Sequence, residues 1–153
     1  MLVRANEKNV LQGTEKRSIS FLEGDALHLP FANGSFDLVA TAFGFRNLAN
    51  YEAGLREIFR ILKPGGTLGI LEFTEPPAGA VGQLYRFYCQ KILPKIGGFV
   101  SGDAAAYAYL PKSVARFFRP DELASLMRQL GYSPVRYHLM TLDSVALHLA
   151  VRP

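Results

Sequence analysis

Two apolar runs separated by a helical segment place this chain in the α/β class. Leu38 to Phe45 is a nearly unbroken run of branched and aromatic residues, and Thr67 to Phe73 is a second. Such runs read as strands covered on both faces, as in parallel sheets. Between them, Tyr51, Leu55, Ile58, Phe59 and Leu62 recur at helical spacing over about Asn50 to Leu62. The third observation is where the polar residues fall. Asp25 follows one predicted strand, and Arg46 and Asn47 follow the next. Open α/β sheets bind ligands outside the carboxyl ends of their strands, so the candidate site is expected there.

Taken in order, Met1 to Gln12 carries good helix formers and stops at Gly13. Ser18 to Glu23 predicts a short strand from Ile19, Phe21 and Leu22, with Gly24 turning the chain. Asn33-Gly34 is a turn before the strand from Phe36 to Phe43. Asn50 is placed to cap the helix, and Pro64-Gly65-Gly66 ends it. This β-α-β-α-β period predicts a parallel sheet. Ala78 to Leu93 mixes Leu84, Tyr85, Phe87, Tyr88, Ile92 and Leu93 with few charges, which suits a lid helix. A loop then runs past Tyr107 and Tyr109 to Ser113. Pro120-Asp121-Glu122 opens a helix whose Leu123, Leu126, Met127 and Leu130 share a face before Gly131. Ser133 to Leu139 and Val145 to Val151 alternate as a hairpin.

Composition narrows the function classes. The 153 residues, 49% hydrophobic and 20% charged, fit one globular domain rather than a disordered chain. A net charge of +4 without a basic block argues against nucleic acid. Cys89 is the single cysteine, so no intrachain disulfide forms, and a cytoplasmic setting is expected. No apolar run approaches the roughly 20 residues of a membrane span, which leaves membrane contact peripheral. His28, His138 and His148 lack ligand spacing, so no metal site is expected.

Specific motifs then carry a resemblance. Arg60-Ile61-Leu62-Lys63-Pro64-Gly65-Gly66-Thr67, with Leu71-Glu72-Phe73-Thr74 and Phe43-Gly44-Phe45-Arg46-Asn47, resembles the signature of the ubiquinone/menaquinone biosynthesis C-methyltransferase family. Tyr85, Leu93-Pro94, Ile96-Gly97, Ser101, Asp103, Tyr107, Tyr109-Leu110 and Ser113 are similar to the insertion by which that family covers its quinol, and Val145 to His148 resembles its last strand. Departures are Glu75, where a basic residue is usual, and Leu142-Asp143, where a glycine is usual. The resemblance implies a class I (Rossmann-like) methyltransferase fold with strand order 3-2-1-4-5-7-6. It also implies S-adenosylmethionine as cofactor and a polyprenyl hydroquinone as substrate. The family's glycine-rich cofactor turn and its ribose-binding acidic residue have no counterpart in the sequence. The expectation is therefore a single partial methyltransferase domain over 1–153, N-terminally truncated and lacking strands 1 and 2. Such a chain should bind S-adenosylmethionine weakly and turn over little. The strand Phe36 to Phe43 then either pairs with Ser18 to Glu23 or leaves an apolar edge open to dimerisation or aggregation.

The resemblance assigns the site residue by residue. Asp25 and Ala26 would contact the adenine, and the alternative for Asp25 is a turn aspartate bonding its own backbone. Ala42 falls where the family lines the cofactor with a small residue. Arg46 and Asn47 are the catalytic candidates. Guanidinium stays protonated, so Arg46 would lower a phenol's pKa and hold the phenolate while water takes the proton, with Asn47 orienting that oxygen. The alternative for Arg46 is an ion pair with a carboxylate such as Glu72. Two function hypotheses follow: C-methylation of demethylmenaquinol or a ubiquinone precursor, or a catalytically inactive relative serving as a binding module or an incomplete product. Ala78 to Val100, with Arg86, Lys91 and Lys95, is either a lid on its own core or a contact with anionic membrane. A homo-oligomer stays open.

Overall fold

The computed structural model describes residues 20–75 and 113–153, together with Gly79 and Gly82. Their elements are β1 (Phe36–Ala42), a 3-10 turn (Phe45–Asn47), α1 (Tyr51–Ile61), β2 (Leu62–Phe73), α2 (Pro120–Gln129), β3 (Val135–Met140) and β4 (Val145–Val151). The strands form one sheet in the order β1-β2-β4-β3. β1 and β2 are parallel across the α1 crossover, whereas β4 runs antiparallel to both β2 and β3. This reproduces the 4-5-7-6 part of the order implied by the resemblance.

α1 forms where its apolar spacing says it should. The Asn50 side chain accepts from the Ala53 amide at 3.0 Å, a cap that contributes about 1 kcal/mol. At the other end Arg152 Nη1 donates to the carbonyls of Phe59, Arg60 and Leu62, with the guanidinium 4.9 Å from the Phe59 ring centroid. The last carbonyls of α1 are thus satisfied by the far end of the chain, which locks helix to sheet. Gly65, at φ +79°, sits in the irregular stretch of β2 between Leu62 and Thr67, a bend that few other residues would accept. α2 starts at Pro120, with Glu122 accepting from the Arg119 amide at 2.9 Å, and ends before Gly131 at φ +96°.

One face of the sheet carries the core. Leu68, Ile70 and Ala150 are buried against Leu55, Ile58, Leu62, Leu123, Ala124 and Met127. The Tyr132 hydroxyl, buried under this layer, donates to the Leu55 carbonyl at 2.8 Å. His148 Nε2 donates to the Pro120 carbonyl at 2.9 Å, so a β4 side chain holds the start of α2.

Three expectations change. β1 is not covered on both faces by the described residues. Val39 packs on the core, but Leu38, Ala40 and Ala42 point the other way, and Leu38 is 62% exposed. An apolar run says that a strand is able to be buried twice; a second layer of helices must be present for it to happen. Residues 20–24 form no strand and are exposed, so β1 is the edge of the described sheet. The sheet is mixed rather than parallel, because the terminal hairpin inserts β4 next to β2. The helix predicted over Met1 to Gln12, Cys89 and the segment from Ala78 to Lys112 lie outside the described residues, apart from Gly79 and Gly82.

Candidate active site

At the carboxyl ends of β1 and β2 the chain gathers its candidate groups. β1 ends at Ala42, and the next residue, Phe43, has a φ of 55° that is unusual for a residue with a side chain and carries local strain. Its carbonyl accepts from Arg46 Nη1 at 2.6 Å. The turn Phe45–Asn47 follows, pinned by the buried Phe45, which stacks with Tyr51 at 6.0 Å and meets Phe117 edge-on at 6.3 Å. The Tyr51 hydroxyl donates to the Arg46 carbonyl at 3.0 Å. A rigid aromatic base therefore holds the backbone of the key residue.

The Arg46 side chain is as firmly held. Nη1 meets Glu72 Oε1 at 2.8 Å and Nε donates to Ser113 Oγ at 3.2 Å. The Arg46 backbone amide donates to Glu72 Oε2 at 3.1 Å, and the Phe73 amide donates to Oε1 at 2.9 Å. The side chains are 9% and 1% exposed, respectively. The ion pair posed as the alternative for Arg46 is thus present. It leaves one end of the guanidinium unused: no hydrogen bond among the described residues engages Nη2. The Phe73 ring lies 5.6 Å from the guanidinium carbon, giving the cation an aromatic neighbour. Asn47 sits next in the turn, its amide donating to the Gly44 carbonyl at 3.0 Å.

Asp25, Ala26 and Ala42 are exposed. Asp25 Oδ1 accepts from the Leu27 amide at 2.9 Å, and Oδ2 lies 3.4 Å from His28 Nδ1. These contacts, the Leu27 amide foremost, hold the carboxyl below its ordinary range. The turn role posed for Asp25 is thus realised, and its carboxylate is still 63% exposed and charged. An ionised acceptor beside a backbone turn suits an exocyclic amine, so the residues present fit the adenine end of S-adenosylmethionine. Gly54 shows how this turn reaches the site. A Cβ there would lie 2.6 Å from Leu48 and 3.6 Å from Leu27, so the Asp25 turn and the loop after β1 meet on one face of α1.

Sequence reasoning missed the support of that turn. Glu57 accepts from the Leu29 amide at 2.7 Å, and Arg60 donates to the carbonyls of Leu29 and Phe31 and to Asn33 Oδ1. The Arg60 hydrogen bonds bring the Glu57 carboxyl down to about 2. A Glu and an Arg three apart on a helix are too common to single out. The Phe43 carbonyl and Ser113 as Arg46 partners were equally invisible. No group of three or more potential metal ligands occurs among the described residues.

Comparison with known proteins bears on the family and the fold. The model of the ubiE/COQ5 methyltransferase family matches residues 1–152. The demethylmenaquinone methyltransferase of Thermus thermophilus is 50% identical over 153 residues, all of this chain and 68% of the relative. The ubiquinone/menaquinone biosynthesis C-methyltransferase UbiE of Haemophilus ducreyi is 42% identical over 131 residues, 86% of this chain and 51% of the relative. The chain thus spans between half and about two thirds of these relatives. Among solved structures, a SAM-dependent methyltransferase from Aquifex aeolicus aligns with a TM-score of 0.62 at 16% identity, over 99% of this chain and 63% of that one. That likeness establishes the class I methyltransferase fold.

Proposed function

Because the chain belongs to the ubiE/COQ5 methyltransferase family, we propose that it serves S-adenosylmethionine-dependent C-methylation of a polyprenyl hydroquinone, demethylmenaquinol or a ubiquinone precursor. The observation that carries the reading is Arg46: a nearly buried cation, fixed at the carboxyl ends of two parallel strands, with no hydrogen bond from a described residue on Nη2. S-adenosylmethionine, when bound, supplies the electrophilic methyl group. The chain's own residues do the rest. Asp25 and Ala26 address the adenine, and the small Ala42 side chain leaves room beside it. Arg46 holds the phenolate oxygen, which keeps the ring carbon nucleophilic, while Asn47 orients that oxygen. The phenol proton leaves to water, since guanidinium is no base at ordinary pH.

The quinol's polyprenyl tail partitions into lipid, so collection at an anionic membrane surface forms part of the proposal. No described helix is long and apolar enough to cross a membrane. The test is methyl transfer from radiolabelled S-adenosylmethionine to a short-chain demethylmenaquinol kept reduced, at millimolar donor so that a weak site is filled. Label is expected in the organic phase. Label no higher than that from heat-denatured protein overturns the reading.

A further inference from the structure

We propose that Glu72 is a positioning residue that aims Arg46 Nη2 at an anionic ligand oxygen, with Ser113 as the second guide. The inference rests on the proposed function and extends it to the atom. One carboxylate takes the backbone amide of Arg46 at 3.1 Å and its Nη1 at 2.8 Å, so main chain and side chain are fixed by a single group. The Phe73 amide on Oε1 at 2.9 Å fixes that group in turn. On the guanidinium, Nη1 is spent on Glu72 and the Phe43 carbonyl, and Nε on Ser113. Two planar donors held in this way define the plane of the fork, and the remaining donor, Nη2, follows without freedom. A solvated arginine would lose this orientation and would have to recover it at every binding event.

Glu72 has an electrostatic cost that makes the idea testable by sign. A buried carboxylate 2.8 Å from the guanidinium cancels much of its positive charge. If Arg46 acted by charge alone, removing the Glu72 charge would strengthen its hold on an anion. If Glu72 acts by positioning, removing it weakens that hold.

The ligand probe is 1-naphthol, whose absorbance reports its ionisation and which needs no methyl donor. With the full chain, the bound naphthol should ionise at lower pH than free naphthol. Glu72→Gln should return the midpoint toward the free value by about one pH unit, a tenfold change in phenolate preference. Ser113→Ala, which leaves the ion pair in place, should move it the same way by less. A midpoint that is unchanged or falls further in Glu72→Gln overturns the positioning role and leaves the methyltransferase reading intact. Where Glu72→Gln does not fold, Ser113→Ala decides alone, and an unchanged midpoint overturns the proposal. If the wild-type chain does not lower the naphthol midpoint, the proposal falls at its premise. The radiolabel assay shows separately whether the methyl transfer reading falls with it.

Discussion

Glu72 and Arg46 are joined twice, by an ion pair at 2.8 Å and by a backbone amide bond at 3.1 Å, and both sit beneath the surface. Desolvating two charges offsets much of their attraction, so the pair adds little net stability over an apolar equivalent. Losing one partner is different. A stranded buried charge costs about 3–5 kcal/mol, and substitutions at Arg46 that remove the charge would confuse folding with chemistry.

Arg46→Lys keeps the charge and loses the fork. Turnover is expected to fall roughly thirtyfold, or about 2 kcal/mol of transition-state stabilisation, with cofactor affinity little changed. Steady-state kinetics beside calorimetry of the product cofactor separate the two. Equal losses in both would make Arg46 a structural residue.

At Asp25 the charge and the turn are separable. Asp25→Ala is expected to weaken S-adenosylmethionine binding about tenfold or more, by removing the acceptor for a ligand donor. Asp25→Asn keeps an oxygen for the Leu27 amide at 2.9 Å and isolates the charge. Calorimetric titration reads both, and undiminished affinity in Asp25→Ala would leave that residue a turn role alone.

Glu57 supplies a pH dependence. Arg60 and the Leu29 amide lower its carboxyl to about 2, below the unfolded value. The folded state therefore binds fewer protons, and the stabilisation is complete above about pH 4.5 and lost as pH falls toward 2. Glu57→Gln should lower the melting temperature at pH 7 by about 2–8 °C, with the gap from wild type closing in acid. Thermal melts across that range check it, and a gap that persists at the acid end would contradict it.

For His148 the proton arithmetic has the same sign. Burial holds the imidazole below its ordinary value, opposed in part by the Pro120 carbonyl. An unfolded chain takes up a proton near pH 6.5 while the folded one resists, so stability falls on acidification below that point. In His148→Gln, where an amide replaces the ring donor, the part of the slope that sets in below about pH 6.5 should disappear. Denaturant titrations at several pH values measure it, and an identical slope in both proteins would refute the assignment.

The sequence by itself determined the local elements and their chemistry. Helical spacing from Tyr51, the Asn50 cap and the antiparallel pairing of the terminal hairpin reappear, since each depends on residues a few positions apart, whereas the helix ends at Ile61 with Pro64-Gly65-Gly66 already inside β2, and β3 is exposed at every position but Val135. It also placed Arg46 and Asn47 at a strand's carboxyl end, because motif and strand adjoin in the chain. Tertiary structure alone decided the rest. The Arg46–Glu72 contact spans 26 residues, and the Ser113 contact spans 67. Nothing in the local pattern says that Phe43 turns its carbonyl back to that guanidinium, or that Arg152 closes α1 from 92 residues away. Whether β1 is buried on one face or two was likewise a matter of what packs on it, which an apolar run permits but does not specify. Short-range periodicity selects elements, whereas burial and the aim of a charged side chain depend on groups that only folding brings together.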